Sequence, residues 1–141
     1  MKIENFKFHE SGLKRFFGPL EARIMEFLWN KSDEAAIKEV VRTLEREQDK
    51  PLSFNTVMTV MNRLVDKGIL QKRSESRSYL YRPVMTRDEF MDRQSRELAR
   101  DLVEEFGPLA VHHMVDALEK ADPELLKALE QKLIDTKKER S

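Results

Sequence analysis

Asn55, Thr56, Thr59 and Asn62 recur at helical spacing, with Met58 and Arg63 among them and Ser53 and Lys67 at either end. Short amide and hydroxyl side chains bond to base edges and let a backbone come close to them. Methionine offers apolar atoms to a thymine methyl, and Arg or Lys holds phosphate. Lys72, Arg73 and Arg77 follow shortly after. The chemistry open to this set is recognition of a nucleic-acid duplex. The competing explanation is an ordinary polar helix face, although solvated faces elsewhere in the chain are crowded with Lys and Glu.

Bond-breaking chemistry has no comparable set. The chain lacks a Gly-rich phosphate loop, an H-E-x-x-H pair, and a Ser or Cys nucleophile with an identifiable base. His112 and His113 are adjacent, so on a helix they point about 100° apart and suit one metal poorly. His9 is remote in sequence. Helix-surface or interface histidines are the plain reading, and a haem or metal effector site is the alternative. The expectation is no enzyme, no cofactor and no metal.

The elements that must position these residues can be read from periodicity. Val57, Val60, Met61 and Leu64 form an i, i+3, i+4, i+7 stripe. Ser53 suits an N-cap and Gly68 a helix stop, which predicts a helix over 53–67. Ile69–Ser74 and Arg77–Pro83 read as strands, with Tyr79 and Tyr81 alternating against Leu80 and a polar tip at Glu75-Ser76-Arg77. Upstream, Pro19–Asn30 is a helix with Leu20, Ile24, Met25, Leu28 and Trp29 on its apolar face. Ile37, Val40, Val41 and Leu44 mark a second helix, up to about Gln48, ended by Asp49-Lys50-Pro51. Three helices and a hairpin, in that order, predict a winged helix-turn-helix with a wing at 70–83.

The chain has 141 residues, 40% hydrophobic and 37% charged, with no cysteine. That allows one domain or two small ones, and excludes disulfides and thiolate metal sites. No apolar run approaches the ~18–20 residues of a membrane span. The N-terminus is too polar for a secretory signal. A soluble cytoplasmic protein without stable membrane association is expected. Net charge is zero, but it is unevenly placed. Residues 50–83 carry Lys50, Arg63, Lys67, Lys72, Arg73, Arg77 and Arg82 against only Asp66 and Glu75, whereas residues 84–141 are net acidic. Positive charge gathers on the helix and hairpin, as phosphate binding requires.

Residues 1–17, with Phe6, Phe8, Phe16 and Phe17, read as an N-terminal arm or short helix packing on the body, and Lys14 and Arg15 give it a second reading as a DNA-contacting arm. Residues 18–84 then form the winged-helix domain, and residues 85–141 a helical dimerisation domain. In the last, Thr86-Arg87-Asp88-Glu89 is a capping box that opens a long helix to about Phe106. Phe90, Leu98, Leu102 and Phe106 lie on one side of it. Val111, Met114, Val115 and Leu118 form a second stripe. Asp122-Pro123-Glu124 opens a last helix lined by Leu125, Leu126, Leu129 and Leu133, with a K-K-E-R-S tail expected to fray. Such stripes are marginal alone and are best buried against a second copy. A self-contained monomeric bundle is the alternative.

L-E-A-R-I-M-E-F-L-W (Leu20–Trp29), S-F-N-T-V-M-T-V-M-N-R-L (Ser53–Leu64), K-G-I-L (Lys67–Leu70) and R-S-Y-L-Y-R-P (Arg77–Pro83) resemble the penicillinase-repressor family, the BlaI/MecI/CopY-type transcriptional regulators. The likeness is specific in the first half and loose beyond Thr86. It implies a homodimeric repressor on a palindromic double-stranded DNA operator, released by an inducing signal through an upstream sensor or protease. It places Ser53, Asn55, Thr56, Met58, Thr59 and Arg63 where the family's recognition helix meets DNA. Copper-responsive members carry C-terminal cysteines, which this chain lacks. Antibiotic-responsive members are cut at an Asn-Phe bond, and here H-H-M-V-D-A (His112–Ala117) stands in that region. The expectation is a DNA-binding repressor whose helix reads bases while Arg63, Lys67, Lys72, Arg73 and Arg77 hold phosphates. A protein-interaction module that uses the same surface without DNA is the alternative, and a repressor triggered by a small molecule or haem in the C-terminal helices is a third.

Overall fold

The computed structural model describes residues 12–140. Leu20, Ile24 and Leu28 set the inner face of α1 (Pro19–Lys31), which opens on a proline and a Glu21 carboxylate accepting from the Gly18 amide at 3.0 Å. Helix α2 (Ile37–Gln48) ends in a left-handed Asp49, and the Glu45 carboxylate accepts from the Leu52 amide at 2.9 Å across the turn. That turn delivers α3 (Phe54–Asp66), which stops at Gly68, where φ is +78°. A side chain disfavours that conformation, so glycine is the residue that suits it.

Strands β1 (Leu70–Glu75) and β2 (Ser78–Pro83) pair antiparallel, with Lys72 opposite Tyr81 and Ser74 opposite Tyr79. Ala35 bridges β2 through two backbone bonds with Tyr81, at 3.0 and 2.9 Å, and so ties the α1–α2 turn to the wing. Helices α4 (Arg87–Phe106), α5 (Pro108–Lys120) and α6 (Pro123–Arg140) follow. One limb of the expected capping box is present: the Glu89 amide donates to the Thr86 hydroxyl at 3.1 Å, and that hydroxyl donates to the Glu89 carboxylate at 3.2 Å.

Two compact units divide the chain, Met1–Asp92 and Arg93–Ser141. The break falls inside α4 rather than at residue 84, because the first turns of α4 pack on the first unit's core. That core joins Ile24, Met25 and Leu28 of α1, Val40 and Leu44 of α2, and Val57, Met61 and Leu64 of α3. Ile69, Leu70 and Tyr81 close it from the wing. Phe16, Phe17, Trp29 and Phe90 form an aromatic cluster at one end: Phe17 and Phe90 stack at 5.3 Å, and the Trp29 indole donates to the Met85 carbonyl at 2.9 Å.

Several expectations need correction. Phe90, expected at an interface between copies, is fully buried in the first unit's core and is not free to meet a second chain. The end of the arm packs on the body as expected: Leu13, within the short 3-10 turn Gly12–Arg15, and Phe17 after it belong to that core. Residues 1–11, including Phe6, Phe8 and His9, lie outside the described residues. The tail expected to fray is helical to Arg140.

The second unit contrasts with the first. Helix α5 packs on α6, yet none of the described residues of these two helices is fully buried. Leu98, Val115, Leu118, Leu126 and Leu129 are half-buried. Leu102, Phe106, Val111, Met114 and Leu133 are exposed, as are Val103, Leu109 and Ile134. An apolar groove of about 500 Å³ runs between the end of α4 and α5, lined by Leu102, Phe106, Leu109, Met114 and His113.

Candidate nucleic-acid interface

Helix α3 turns Val57, Met61 and Leu64 inward and therefore presents the opposite side to solvent. Asn55, Thr56, Thr59 and Arg63 are exposed there together. Ser53 is occupied as the N-cap: its hydroxyl accepts from the Thr56 amide at 3.4 Å. Thr59 donates its hydroxyl proton to the Asn55 carbonyl one turn back, at 2.9 Å. What Thr59 offers outward is thus a lone pair and a methyl group. Met58, expected to be exposed, is half-buried against the core, since it sits three and seven residues before Met61 and Val65 on the shoulder of the apolar stripe.

The hairpin sorts its charges by face, because side chains alternate along a strand. Lys72, Ser74, Tyr79 and Tyr81 share one face, and Arg73, Glu75, Leu80 and Arg82 the other. The first face meets α3: the Asn62 side-chain oxygen accepts from the Tyr81 hydroxyl at 2.9 Å and from the Lys72 ammonium at 3.2 Å. The same ammonium lies 4.7 Å over the Tyr79 ring. Burial, and secondarily the neighbouring Tyr79, pushes the Tyr81 pKa up, while the Asn62 bond pulls against that rise. The phenol is therefore a protonated donor throughout the neutral range.

Arg73 faces the other way. It donates to Glu34 at 2.7 Å and to Glu75 at 3.2 Å, and the Glu34 bond is the main reason its pKa is raised. Lys67 caps α3 and pairs with Glu21 at 3.3 Å. Arg63 and Arg77 are exposed, and no ion pair engages them among the described residues. The expected set therefore divides. Asn55, Thr56, Thr59 and Arg63 lie on the exposed side of α3, Asn62 at its edge joins that side to Lys72 of the wing, and Arg73 fastens the wing to the α1–α2 turn. Sequence reasoning missed Tyr81 as a partner of α3: alternation puts Tyr79 and Tyr81 on one face of the wing, yet Tyr79 is exposed and Tyr81 buried, and no local pattern separates the two.

His112 and His113 approach at 5.1 Å between ring centroids, and no group able to hold a metal ion occurs among the described residues. No helix among the described residues is long and apolar enough to cross a membrane.

Three helices, a bridging residue before α2 and a two-stranded hairpin make the first unit a winged helix-turn-helix, here followed by a helical unit. The sequence model of the penicillinase repressor family matches residues 17–135. The chain belongs to that family. Two curated relatives, each a transcriptional regulator BlaI from Mycobacterium tuberculosis (strains CDC 1551 / Oshkosh and ATCC 25618 / H37Rv), are 34% identical over 74 residues, 52% of this chain and 52% of theirs. The chain thus spans about half the length of the curated relatives it matches. Among solved structures, RosR of H. salinarum grown from NaBr is 18% identical, with a TM-score of 0.47 over 86% of this chain and 94% of that one.

Proposed function

We propose that this protein is a DNA-binding transcriptional repressor, cytoplasmic and without catalytic activity, that works as a homodimer on a palindromic operator. Helix α3 enters the major groove, and Asn55, Thr56 and Thr59 meet base edges. Arg63, Lys72 and Arg77 meet phosphates on either side. The observation that carries this reading is the joining of the short polar face of α3 to the Lys72 face of the wing, in a chain of the penicillinase repressor family. The exposed apolar side chains of the second unit support a homodimer, which would set two α3 helices about one helical turn of DNA apart, or a multiple of it. Family membership alone supports release by an upstream sensor or protease.

The test is selection of bound fragments from a genomic library, followed by titration with salt. A dyad-symmetric site whose affinity falls steeply as salt rises supports the repressor. Binding that ignores both sequence and salt refutes it in favour of a protein-docking role.

A further inference from the structure

Asn62 lies on the flank of α3 that meets the wing, and its oxygen is fully used. Lys72 has only donors, so the atom it meets at 3.2 Å is the amide oxygen, which fixes how the amide is turned. The Tyr81 hydroxyl, 2.9 Å from the same oxygen, then donates as well. Tyr81 cannot yield, being buried and bonded through its backbone to Ala35 in both directions. A lysine stem left free samples many rotamers and loses them on meeting a phosphate. An ammonium has three donors, so Lys72 can keep Asn62 and still bond a phosphate oxygen.

We propose that Asn62 is a positioning residue: its side-chain oxygen, held by the Tyr81 hydroxyl, anchors the Lys72 ammonium where the wing meets a phosphate of the duplex. The inference rests on the DNA-binding reading above and reassigns Asn62 from reading bases to aiming the wing. The reading helix and the wing's cation are thereby joined through one side-chain amide.

A double-mutant cycle on the full chain tests it, with a mixed-sequence duplex of about 30 base pairs as probe, long enough for two half-sites a turn apart. Affinity is measured against salt for the wild type, Tyr81→Phe, Lys72→Ala and the double variant. Tyr81→Phe should weaken binding about threefold to tenfold. It should also remove part of the roughly 0.9 of salt slope that one phosphate contact supplies. The double variant should bind like Lys72→Ala alone. An equal loss from Tyr81→Phe in the Lys72→Ala background, or no loss in either, overturns the proposal. Should Tyr81→Phe fail to fold, Asn62→Ala takes its place in the same cycle. A wild-type chain that binds no duplex in dilute salt defeats the DNA reading itself, and shows this before any variant is compared.

Discussion

Thr59 illustrates how a local bond narrows a residue's chemistry. Its hydroxyl proton goes to the Asn55 carbonyl, so toward a base it accepts, or presents its methyl. Thr59→Ala should lose about 1–3 kcal/mol of discrimination at the base pair it faces, with affinity for random duplex unchanged. Quantitative binding to single-base operator variants reads this out; equal losses on all sequences would assign Thr59 a structural part instead. Arg63 and Arg73 make a sharper pair. Arg63→Ala should weaken binding to every duplex and flatten the salt dependence by about one unit of slope. Arg73→Ala should leave that slope nearly unaltered, because Arg73 is turned to Glu34 on the far face of the wing. Identical slopes for the two variants would contradict the sorting of charges by strand face.

At the level of elements, α3 was legible because one stripe of Val57, Met61 and Leu64 and one cap at Ser53 agree on its bounds to within a residue. The wing was legible from the alternation of Tyr79 and Tyr81 about Leu80. Alternation also says that Lys72 and Arg73 point opposite ways, but it cannot say which of them faces α3. That depends on Glu34, 39 residues from Arg73 in sequence, which no local pattern connects to it. Phe90 fails for a related reason. Offsets of eight, twelve and sixteen residues carry Leu98, Leu102 and Phe106 about 80°, 120° and 160° around the helix from Phe90, so the grouping on one side is too wide, and periodicity does not name what covers each residue. Trp29 and Phe17 cover Phe90, and different surroundings take over further along α4. Phe90→Ala should therefore destabilise the first unit by about 3–5 kcal/mol, seen as an earlier urea transition in Trp29 fluorescence. A transition left in place would return Phe90 to the surface.

For the whole molecule, the contrast between the two units bears on assembly. The first buries a full core, whereas α5 and α6 bury no side chain completely and leave Met114, Leu133 and Ile134 exposed. On the homodimer reading, Leu133→Glu should shift sedimentation at micromolar concentration from dimer to monomer, while the first unit's urea transition stays where it was. A monomeric wild type would refute the homodimer. The sparse interior of the second unit also bears on gene dosage. On the homodimer reading, wherever monomers predominate the operator-binding species grows with the square of the amount made, so a modest fall in synthesis or a little proteolysis would empty the operator abruptly instead of by degrees.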